Sequence, residues 1–106
     1  MPVTHTVVYQ KSGATFSSGL EAHQDKNSLY SAELKESIEQ CHAQLLADNI
    51  LVGPDTYTWD QATERLTIQR VVSSASEFRV SRTYDINAVT TKSAEAGWLF
   101  ISSDVA

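Results

Sequence analysis

The chain reads as an α+β protein, a two-layer sandwich in which one long helix packs on an antiparallel sheet of four to five strands in the order β-α-β-β-β-β. Two observations predict it. Between residues 27 and 52, Leu34, Ile38, Cys41 and Leu45 recur at steps of four, three and four, which draws one apolar stripe along a helix. On either side, shorter segments alternate apolar and polar residues with period two, the signature of strands with one covered face. A helix with a single apolar face needs something flat over it, and the alternating strands supply that surface.

Residues 3–11 set Val3, His5, Val7 and Tyr9 against Thr4, Thr6, Val8 and Gln10, with many β-branched side chains, and form the first strand. Ser12-Gly13 is a turn signal, and residues 14–16 are a short candidate to pair back. Residues 12–26 then make a long connection, which Phe16 and Leu20 are expected to pin to the core. Asn27 or Ser28 is the preferred start of the helix and Ser31 the alternative cap, while Gly53 and Pro54 stop it. Glu33, Lys35, Glu36, Glu39, Gln44 and Asp48 fall on its solvated side.

Residues 56–60 and 65–73 form a hairpin closed by residues 61–64. Placing Trp59 opposite Leu66 sets Tyr57 beside Ile68 on one apolar face and Asp55 opposite Arg70. Arg70 leans inward on the row Leu66, Ile68, Val72, so it needs Asp55 as a partner. Glu64, last in the loop, is expected at positive φ. Residues 77–85 read as a third strand of this meander, carrying Phe78, Val80 and Tyr84 with Arg82 among them, after an odd loop at residues 74–76 or a bulge. Residues 86–97 are a connection with a helical turn near 93–96, and residues 98–102 a last strand covered on both sides. This element order resembles a cystatin-like roll, in which a curved sheet wraps around one helix. The resemblance is one of element order alone: the hairpin has no Gln-x-Val-x-Gly, so protease inhibition does not come with it.

One hundred and six residues suit a single domain spanning 1–106, and 42% hydrophobic with 20% charged residues is the balance of a chain that folds. The first residues show no basic run followed by an apolar block, and no window approaches a membrane span, so a cytoplasmic protein without a membrane role is expected. A net charge of -5 argues against non-specific nucleic-acid binding, although all four arginines fall between residues 64 and 83. The lone Cys41 excludes an intramolecular disulfide and reads as a packing residue. His5, His23 and His42 sit in three different elements without ligand spacing, so no metal is implied. The four glycines are scattered and no Gly-x-Ser-x-Gly occurs, so no nucleotide cofactor or nucleophile elbow is implied either.

With no catalytic constellation in view, the favoured expectation is a non-enzymatic protein-interaction or structural module. It would associate with itself, as a homodimer, or with another protein, through an outer sheet face that includes Val71 and Arg79. The alternative is a small-molecule-binding or enzymatic domain with a pocket between sheet and helix. Its candidate residues are Arg70, Arg82, Tyr57 and His42, which the register places inside or at the rim of that layer. An acidic ligand fits them, because arginine offers a carboxylate a bidentate fork.

Overall fold

The computed structural model describes residues 1–81 and 84–106. Its elements are β1 (Val3–Gln10), α1 (Gly19–Lys26), α2 (Ala32–Ala47), β2 (Thr56–Asp60), β3 (Arg65–Val72), α3 (Ala75–Arg79), α4 (Ile86–Glu95) and β4 (Leu99–Val105). The class is α+β with an antiparallel sheet, in the order β2-β3-β1-β4. β3 returns between β2 and β1, so each half is a split β-α-β unit with a pair of helices as its crossover. The meander of four strands, and with it the cystatin-like outline, gives way to this arrangement.

The hairpin follows the expected register, with Trp59 opposite Leu66 and Tyr57 opposite Ile68. Asp55 Oδ2 accepts from Arg70 Nη2 at 3.0 Å, and Glu64 closes the loop at φ 57°. β1 pairs with β3 on one side and with β4 on the other, which makes it the strand on which the sheet is assembled.

The helix expected over residues 27–52 is shorter, α2 alone, and a separate helix, α1, precedes it in the stretch 12–26 that reads as a connection. α1 starts at Ser18, whose hydroxyl accepts from Glu21 N, while Ser17 donates back to the Glu21 carboxylate. This is a capping box in a segment read as loop. Asn27, preferred as an N-cap, is instead the C-cap of α1, and Ser31 caps α2 by accepting from Leu34 N. α2 stops well before Gly53, because Asn49 takes the left-handed conformation at φ 56° and the amides of Ile50 and Leu51 turn back to the Leu45 carbonyl. Residues 14–16 form no strand, and Leu20 is exposed; Phe16 alone of the expected pair reaches the core, between Trp59 and Trp98.

The expected strand 77–85 is also replaced. Ser74 caps α3 by accepting from Glu77 N, a second Ser-x-x-Glu box, and Val80 is left 86% exposed rather than turned inward. The turn near residue 93 belongs to a full helix, α4, started by Asp85, which accepts from the amides of Asn87 and Ala88. The helices cover one face of the sheet, and Leu99, opposite the outward Gln10, points to the other and is exposed, so β4 is covered on one face only.

The fully buried strand residues, Tyr9, Leu66 and Val72, lie on one face, and packing divides into three clusters. Tyr9, Leu66, Ala22 and Trp98 close one end of the sheet, with Trp98 Nε1 donating to Asp25 at 2.9 Å. Leu51, Val72, Cys41 and Leu45 close the other end. Tyr30, Leu34 and Val89 join the helices to one another. Between the clusters, Val7 and Ile68, paired at mid-sheet, are only half-buried.

α1 comes very close to the edge strand. A Cβ built on Gly19 would lie 2.0 Å from the Tyr57 carbonyl oxygen, a backbone atom that cannot move aside. Gly19→Ala should therefore destabilise the fold by about 1–3 kcal/mol. Gly13→Asn should change stability by less than about 1 kcal/mol, because its φ of 76° suits asparagine and nothing lies within 4 Å of the added atom. Urea unfolding of both variants measures the contrast.

Candidate functional site

The space left between the clusters is a cavity of about 550 Å³ between the inner sheet face and the helices. That volume falls in the range of small-molecule sites. Its apolar wall comes from Val7, Ile68, Ile38, Leu45 and Val89, and its polar groups gather where α1 passes over β2 and β3. Sheet pairing brings His5 opposite Arg70, and the close seat of α1 at Gly19 brings His23 and Lys26 over the same region.

Lys26 is 4% exposed. Its ammonium donates to Asn27 Oδ1 at 2.9 Å and to the Tyr30 hydroxyl at 2.7 Å, and it lies 4.8 Å and 5.1 Å from the ring centroids of Tyr9 and Tyr30. Among the described residues no carboxylate pairs with it. Burial pushes its pKa down to about 8. Tyr30 is bonded in turn to the buried Ser93 hydroxyl at 2.8 Å. The tyrosine has one proton, so accepting from the ammonium directs its own O–H to Ser93. Burial raises the Tyr9 hydroxyl to about 12 and the Tyr30 hydroxyl further still, so both stay protonated.

The same network fixes the tautomer of His23. Asn27 gives its oxygen to Lys26, so its amino group faces His23 Nε2, 3.1 Å away, and donates to it. Nε2 is then the acceptor and Nδ1 carries the proton. Nδ1 is buried without a partner, while the ring stacks on Tyr57 at 4.1 Å. Asp55 Oδ1 is the complementary orphan, an acceptor without a donor beside the Arg70 ion pair. His5 is held by Ser103 at 3.0 Å, and burial and then Arg70 keep its pKa below the ordinary value.

Of the residues singled out from sequence, Arg70, Tyr57 and His42 all line this cavity. Arg82 lies, with Thr83, outside the described residues. Val71 is on the opposite, outer face of the sheet, whereas Arg79 is in the last turn of α3, so the two do not share a strand surface. Lys26, His23 and Tyr30 were not singled out. The signal for them was the Ser18-x-x-Glu21 box, which starts a helix whose inward positions include His23 and Lys26. Among the described residues no group of three or more histidine, cysteine or acidic side chains is arranged to hold a metal ion, and no helix is long and apolar enough to cross a membrane. In comparisons with protein families, curated proteins and solved structures, the chain matches no family model, no curated protein and no known structure.

Burial first, then Lys26 and Arg70, push His23 from 6.5 down to about 4. Between those values the unfolded chain binds a proton that the folded chain does not, so stability falls as pH drops from about 6.5 to about 4. His23→Phe keeps a ring on Tyr57 and removes this titration. The stability lost between about pH 7 and about pH 4.5 in urea unfolding should be smaller in that variant by about 2 kcal/mol.

Proposed function

We propose that this chain binds a small acid with an apolar body in the cavity between sheet and helices. The observation that carries the reading is Lys26, a buried cation with no carboxylate paired to it among the described residues. Enclosing an ammonium costs several kcal/mol, and two neutral acceptors offset only part of that. An anion entering the cavity supplies the missing charge. Arg70, which lines the same cavity with one nitrogen on Asp55, adds positive potential nearby. Val7, Ile38, Leu45 and Ile68 suit the apolar body.

A thermal-shift screen of aliphatic and aromatic carboxylates against the corresponding amides tests this. The acids should raise the melting temperature and the amides should not. Lys26→Met should do two opposite things: raise the stability of the free protein by about 1–3 kcal/mol, by removing the buried charge, and weaken acid binding about 10- to 100-fold. A screen in which no acid shifts the wild type would overturn the reading.

A second reading, self-association, rests on the bare outer face of the sheet. Thr4, Thr6, Val8, Thr58, Thr67 and Val71 point away from every core cluster, and Val71 is 36% exposed. A second copy placed face to face would cover these short β-formers. Val71→Glu should then lower the mass seen by sedimentation velocity to that of a monomer; the same mass for both proteins would count against this face.

A further inference from the structure

We propose that Lys26 captures a carbonyl group, so that the cavity takes a 2-oxo acid with an apolar side chain and holds it as an imine on Nζ. This inference rests on the acid-binding reading and goes further, by naming the chemical class of the ligand and a covalent step.

The geometry around Nζ supports it. The nitrogen commits two of its positions to hydrogen bonds, with Asn27 and Tyr30, and leaves one for a ligand in the cavity. With no carboxylate to hold the proton, the neutral amine is within easy reach. Its lowered pKa leaves about a tenth of it unprotonated near pH 7, against a few parts in ten thousand for a solvated lysine. In a 2-oxo acid the carboxylate is one bond from the carbonyl. The positive field of Arg70, in the same cavity lining, can therefore take the carboxylate while the carbonyl carbon reaches Nζ.

The step balances without an oxidant or reductant. The amine lone pair attacks the carbonyl carbon, the C=O π pair moves to oxygen, and the nitrogen gives up a proton as oxygen gains one, forming a carbinolamine. Loss of the second nitrogen proton and departure of the hydroxyl as water leave a C=N bond. The net change is one amine and one carbonyl giving one imine and one water. The Tyr30 hydroxyl lies between Nζ and Ser93 Oγ, at 2.7 Å and 2.8 Å, and can carry these protons because burial keeps it protonated.

The test uses 4-methyl-2-oxopentanoate as the probe, with sodium cyanoborohydride to reduce any C=N bond to a stable secondary amine. Peptide mass mapping then reads each lysine. Lys26 should be alkylated about a hundred-fold faster than Lys11, Lys35 or Lys92, and 4-methylpentanoate, which has no ketone group, should protect it by competition. Lys26→Met should show no label above that of the surface lysines. If 4-methylpentanoate raises the melting temperature yet Lys26 is unlabelled, or labelled no faster than Lys35, the imine is overturned and the acid site stands. If neither acid shifts the melting temperature and Lys26 is not labelled, both readings fall together.

Discussion

A lysine ammonium enclosed between a sheet and a helical layer gives up several kcal/mol of hydration, and here one amide, one hydroxyl and two aromatic faces stand in for water. That substitution organises much of the surrounding structure. Asn27 must turn its oxygen toward Lys26, which settles the tautomer of His23; Tyr30 must turn its proton away, which engages Ser93 on α4. One charge on α1 thereby sets hydrogen-bond directions on two other parts of the helical layer.

Packing elsewhere takes the load that the centre does not bear. Trp98 fills one end of the sandwich and ties itself to α1 through Asp25, which also holds Lys11 at 2.7 Å. At the other end Leu51 bridges to Val72 outside the regular strands and caps the cluster beneath α2. Packing is thus concentrated at two ends with an open space between them. This division suits a binding site, since a ligand can enter without reopening either closed end.

The β-hairpin was legible from sequence in detail. Period-two alternation together with a four-residue loop at 61–64 selects one register with both apolar faces inward, and that register places Asp55 against Arg70 and leaves Glu64 at the loop position needing positive φ. It also explains why Arg70 and Tyr57 were found. The helical layer was legible only in α2, where the buried face is apolar. The inward side of α1 is Ala22, His23 and Lys26, so hydrophobic periodicity does not reveal it, and a buried lysine reads in sequence like a solvated one. The residues around α3 show the converse. Phe78 and Val80 alternate like a strand, yet the Ser74-x-x-Glu77 box starts a helix and no sheet edge receives the segment. In both places the local capping chemistry carried the information that apolar pattern did not.

The placement of the aromatic residues has an optical consequence. Both tryptophans belong to one end of the molecule, with ring centroids 5.7 Å apart and Phe16 against each of them. The cavity is lined instead by tyrosines, Tyr9, Tyr30, Tyr57 and Tyr84. Indole emission is therefore a local gauge of the Trp98 end, and a loosening of the opposite end beneath α2 leaves it almost unchanged. Tyrosine absorbance is the signal that belongs to the cavity wall, with Tyr9 shared between that wall and the Trp98 cluster, so the two chromophores report on different but overlapping regions.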